Sequence, residues 1–218
     1  MPVIFWPRLA RWLIVATLIA TAARLWGNVA IEVMADLHSA SSAPHRISIG
    51  GHRLLVPENL IRDQHQRRSG DLPQLDLYMT WPELSGFSFE QSTRFNALDK
   101  IILMSIGQET SHPVAENYSH FTERGESGPS GLEQRPIIRG GGFEGEVIMV
   151  GERPPAGQFL ARCFRNEMAD AMSAPCERRL PFERNLVLIY RFPAHLLDEW
   201  RVLDERIRER ARELLQDG

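Results

Sequence analysis

Lysine is almost missing from this chain: of 25 basic residues 24 are arginine, and Lys100 stands alone. Cysteine is scarce too, with only Cys163 and Cys176 in 218 residues. Twelve residues separate the two, with no CxxC pair or paired histidines nearby, which argues against a zinc site or a thioredoxin-like centre. The glycine run at residues 140–142 is not followed by a lysine, so it does not make a phosphate-binding P-loop and reads as a hinge before a strand. There is no surplus of positive charge. Residues 1–30 hold three arginines and no acid, leaving 22 basic and 28 acidic side chains for the remainder, a net charge of −6 that argues against nucleic acid as a partner. Finally, no apolar run reaches the roughly 20 residues that cross a bilayer without interruption.

What is present begins with an export signal. Arg8 and Arg11 precede an apolar run over residues 12–23, and the first acid is Glu32. Ala20-Thr21-Ala22 has the small-x-small form of a cleavage site, yet Leu25, Trp26, Val29, Ile31, Val33 and Met34 continue a helical apolar pattern past Arg24. The balance favours a retained single-pass anchor in the inner membrane. The flanking arginines place its N-terminus in the cytoplasm and the body in the periplasm. Residues 1–37 are thus expected as anchor, 38–45 as linker and 46–218 as an exported globular domain.

Within that domain, Ile47 and Ile49 alternate before Gly50-Gly51, with Leu54 and Val56 after, which is the signature of a two-residue hairpin. Leu75, Leu77 and Met79 alternate with polar residues, predicting a strand with one wet face, whereas residues 100–106 are continuously apolar, as a central strand would be. Residues 147–150 and the strand from Gln158 are expected to pair. A further strand over residues 185–192 leads to a terminal helix whose Leu196, Trp200, Leu203, Ile207, Ala211 and Leu214 form one apolar stripe. Between them, residues 107–142 read as a glycine-rich surface excursion without structure of its own. The expected fold is α+β: a mainly antiparallel sheet of five to seven strands, the C-terminal amphipathic helix packed on it, and the N-terminal membrane-anchor helix before it.

No motif is specific enough to name a reaction. The segment around Ser127 is similar to the nucleophile loop of trypsin-like proteases, but no matching histidine segment precedes it, and Ser130 lacks the second glycine of a nucleophile elbow. His112 and His120 lie eight apart across a proline and fit no recurrent metal site. These four residues are the catalytic candidates of an alternative reading, a periplasmic hydrolase of cell wall or lipid. The leading expectation is a non-enzymatic envelope protein without cofactor or metal. It binds a protein partner through the 107–142 excursion or an exposed sheet edge, in an immunity, assembly or accessory-subunit role. Export also predicts a Cys163–Cys176 disulfide with Cα atoms about 5 to 6 Å apart.

Overall fold

The computed structural model describes residues 13–21, 24, 38–90, 98–109, 125–137, 145–153, 157–164 and 174–216. The chain forms two units, Met1–His38 and Ser39–Gly218. In the first, residues 13–21 and 24 are helical, with Leu13, Ile14, Leu18 and Ile19 exposed. Among the described residues no helix is long and apolar enough to cross a membrane, and the rest of the expected anchor lies outside them.

The second unit is an α+β fold. Strands β1 (Pro44–Ile49) and β2 (His52–Pro57) form the expected hairpin. Gly50 and Gly51 have φ of 59° and 89°, the two positive values of a I′ turn, which side chains would oppose. A two-residue β3 (Gly70–Asp71) pairs parallel to β1 and completes a small sheet. The large sheet has eight strands in the order β4-β5-β11-β10-β9-β8-β7-β6, all antiparallel, and so exceeds the five to seven expected. Its members are β4 (Gln74–Thr80), β5 (Ile101–Gln108), β6 (Glu126–Ser127), β7 (Glu133–Pro136), β8 (Glu146–Arg153), β9 (Gly157–Phe164), β10 (Cys176–Phe182) and β11 (Leu186–Phe192).

Of the strands not expected, β6 and β7 come from within the supposed excursion, and β10 from the stretch after Cys176 to which no element was assigned. Residues 126–136 are built into the sheet: Gly128 N–H donates to Leu132 O, a tight turn forms over Pro129–Gly131 with Ser130 at φ 49°, and β7 then pairs with β8. Serine and glycine at those positions supply the turn, not slack. The β4 expectation needs a similar correction. Its second face is wet only at its start, where Gln74 is exposed and Asp76 half-buried; further along, Tyr78 packs with Phe87, Ile101, Leu103 and Ala40, and Thr80 is buried. Trp81 is buried in the main core and Phe87 in this smaller cluster, whereas Phe89 is exposed; Phe95 lies outside the described residues. Ahead of β1, Asn59 N–H donates to Ser41 O, Glu58 N–H to Ala43 O, and the Ser39 hydroxyl to Glu58. The chain joins the body from Ser39 onward.

A 3-10 helix over Ala194–Glu199 precedes helix α1 (Trp200–Leu214), so the α-helix starts four residues later than the apolar stripe suggested. The start is fixed from outside: the Asp198 carbonyl accepts the Ser130 hydroxyl, and the Glu199 carboxylate accepts Trp81 Nε1–H. All six stripe residues are buried, and α1 lies on one face of the large sheet. Trp200 rests on Phe159, with ring centroids 4.6 Å apart. Gly151 is required beneath it, since a Cβ there would stand 2.8 Å from the Trp200 ring. After the helix, Leu215 bridges to Leu54 and Gln216 N–H donates to Arg53 O, which ties the C-terminus to the edge of the small sheet.

Candidate functional site

Of the catalytic candidates, His112 and His120 lie outside the described residues. Ser127 sits on β6, exposed. Ser130 is three residues on, and its hydroxyl is taken by the Asp198 carbonyl at 2.7 Å, while its own carbonyl accepts Trp200 Nε1–H at 3.3 Å and Arg201 Nη1–H at 3.4 Å. These bonds dock the β6–β7 turn on the start of α1. Among the described residues, no three His, Cys, Asp or Glu side chains gather as a metal site.

The two cysteines are bonded, 13 apart in sequence. Cys163 on β9 and Cys176 on β10 are direct cross-strand partners, which explains why their Cα atoms are 4.1 Å apart, closer than the general disulfide range suggested. The bond lies at an unusual place in the sheet. Only Cys163 with Cys176 and Arg162 with Glu177 pair between β9 and β10, after which the strands part. Phe164 N–H donates to Pro175 O, so by backbone alternation Pro181 turns the side lacking an N–H toward β9 and cannot extend the ladder. Arg178 fills the gap, its guanidinium donating to Leu160 O at 3.2 Å and Gln158 O at 3.4 Å and lying over the Phe159 ring.

Arg178 is itself held by a residue the sequence reading did not single out. Asp204 is fully buried on α1, with Arg178 Nε 2.9 Å from Oδ1, the Tyr190 hydroxyl donating to Oδ1 at 2.8 Å and Arg208 Nε donating to Oδ2 at 3.1 Å. Burial pushes the Tyr190 phenol well above its ordinary pKa, and the Asp204 charge pushes it further the same way. The signal was available: Asp204 is four residues after Trp200 and three before Ile207, on the apolar stripe itself. A carboxylate there needs compensation: the sheet supplies Arg178 and Tyr190, and α1 itself supplies Arg208 one turn on.

The opposite face of the large sheet bears a row of cross-strand charges. Leu103, Arg191, Glu177 and Arg162 are successive partners on β5, β11, β10 and β9. Arg191 Nε donates to Glu177 at 2.6 Å; Arg162 lies 3.5 Å from Glu177 and 3.1 Å from Glu146 on β8. Burial pushes the Glu146 carboxyl up, against the pull of Arg162 and with the push of Glu177. At the β4 end, Asp76 accepts the Ser105 hydroxyl at 2.5 Å and Gln74 Nε2–H at 2.8 Å, with Arg62 at 3.9 Å. A groove of about 300 Å³ lies between these groups, with Leu103 and Ile189 among its lining residues.

The sequence matches no protein-family model, and no curated protein matches it. Two solved structures share the fold. One is an immunity protein of the Stenotrophomonas maltophilia type IV secretion system, with a TM-score of 0.53 and 13% identity over 81% of this chain and 95% of that one. The other is the iron-regulated outer membrane lipoprotein FrpD of Neisseria meningitidis, with a TM-score of 0.50 and 7% identity over 84% of this chain and 96% of that one.

Proposed function

We propose that this chain is a membrane-anchored envelope protein that binds a protein partner without catalysing a reaction, in an immunity, assembly or accessory-subunit role. The observation that carries the reading is the sheet face opposite α1, which is helix-free in that no α-helix of the body covers it among the described residues. A charge row and a groove lie there across strands that α1 braces from behind, which is a rigid platform of the kind that binding surfaces use. The Cys163–Cys176 disulfide supports an oxidising compartment. Both structures of like fold come from bacterial proteins whose names speak of immunity and of the outer membrane, which supports the same direction. The order of Arg8 and Arg11 ahead of the apolar run over residues 12–23 supports an anchor with the body in the periplasm.

The test separates this role from the periplasmic hydrolase. The full chain, purified from membranes of cells that express it naturally, is expected to carry one partner protein in fixed stoichiometry. Replacing Ser127, Ser130, His112 and His120 together by alanine should leave that complex and the biological role in place. If the role is lost while the melting temperature stays the same, the hydrolase reading replaces this one.

A further inference from the structure

The ion pairs of the helix-free face share an asymmetry. In Arg191–Glu177 the side chains are 54% and 23% exposed, in Arg62–Asp76 49% and 17%, and in Arg162–Glu146 32% and 9%. Formal charge is balanced, but the acids are sunken and the guanidiniums stand above them. Asp76 is further covered by the hydroxyl of Ser105 and the amides of Gln74 and Gln66, which occupy its acceptor positions from within the protein. A molecule approaching this face therefore meets N–H donors before it meets carboxylates. The order reverses on β7, where Arg135 is 32% and Glu133 41% exposed, so the donor surface runs from β4 to β9 and stops there.

From this we infer that the face is a receptor for an acidic segment of a protein partner, one that sets carboxylates on Arg62 and Arg191 and an apolar side chain between them on Leu103 and Ile189. This deepens the partner-binding reading and rests on it. Planar guanidiniums with several donors match carboxylates in paired geometry. The half-buried Leu103 and Ile189 in the same groove require apolar surface from the occupant, which a phosphate backbone does not offer. The acidic balance of the remainder of the chain opposes a polyanion as well.

Binding is measured by fluorescence anisotropy on the full chain in nonionic detergent, with three probes: a short peptide of alternating glutamate and leucine, the matching lysine and leucine peptide, and oligothymidylate. The glutamate peptide is expected to bind and to weaken with salt, and the other two to bind far less. Arg62→Gln with Arg191→Gln should weaken the glutamate peptide by about tenfold or more at an unchanged melting temperature. Arg62→Gln alone, whose contact to Asp76 is long, keeps the test open if the double variant melts early; it should show a smaller loss. Equal binding of the lysine peptide or the oligonucleotide overturns the assignment, and so does indifference to both substitutions. If the natural complex forms equally with the wild-type and double-variant chains, the partner-binding reading stands and this surface is not its site.

Discussion

Asp204 shows how one side chain decides more than its share of the structure. Its carboxylate is buried with Arg178, Tyr190 and Arg208 around it, so truncation leaves the nearly buried Arg178 guanidinium without its counter-charge. Asp204→Ala should therefore cost about 3 to 5 kcal/mol, measured by chemical denaturation, the cost of breaking a buried pair from one side. A loss below about 1 kcal/mol would mean that water reaches the cluster. Glu58, near the surface, carries a pH dependence. The Ser39 hydroxyl, and after it His45, holds its carboxyl below the ordinary 4.5, while burial pushes the other way. Because the folded value lies below the unfolded one, its contribution is present above about pH 4.5 and is lost as pH falls through the folded value. Glu58→Gln should flatten the acid limb of a melting-temperature profile in that window, and an unchanged limb would assign the dependence to other carboxylates.

At the scale of elements, the β6–β7 turn separates what the sequence discloses from what it conceals. Deleting residues 125–135 would remove β6, all of β7 but Pro136, and the Ser130 carbonyl under Trp200, so cooperative melting should disappear. A free surface loop, as the glycine and proline content suggested, would leave melting intact. Periodic segments were legible: the Gly50-Gly51 hairpin, the continuous apolar β5 and the α1 stripe all follow from spacing, because spacing is set by the geometry of one element. The turn was not legible, since its order comes from hydrogen bonds to residues 68 to 71 positions away in sequence. The helix-free face was hidden for the same reason: Arg162, Glu177 and Arg191 become neighbours only through strand register. Trp200 tests the packing where sequence and structure agree. Trp200→Ala removes a fully buried ring that stacks on Phe159 and donates to Ser130, and should cost about 3 to 5 kcal/mol.

For the body as a whole, the large sheet is two four-stranded halves, β4-β5-β11-β10 and β9-β8-β7-β6, meeting at a seam of two paired positions. Two features hold the seam from different ends: the disulfide at the paired end, and the Arg178 guanidinium where the strands part. Helix α1 joins the halves through the second feature, since Asp204 grips Arg178 and Tyr190 on one half while Trp200 lies on Phe159 of the other. Removing the disulfide by Cys163→Ser with Cys176→Ser should cost about 3 kcal/mol, the value for closing a loop of about this length. Either feature alone can still keep the halves in register, so the losses should not simply add. Combined with Asp204→Ala, the disulfide removal is expected to exceed the sum of the separate effects by about 0.5 to 3 kcal/mol, with faster amide exchange at Arg162 and Glu177. Additivity within about 0.5 kcal/mol would show that the seam opens independently at its two ends.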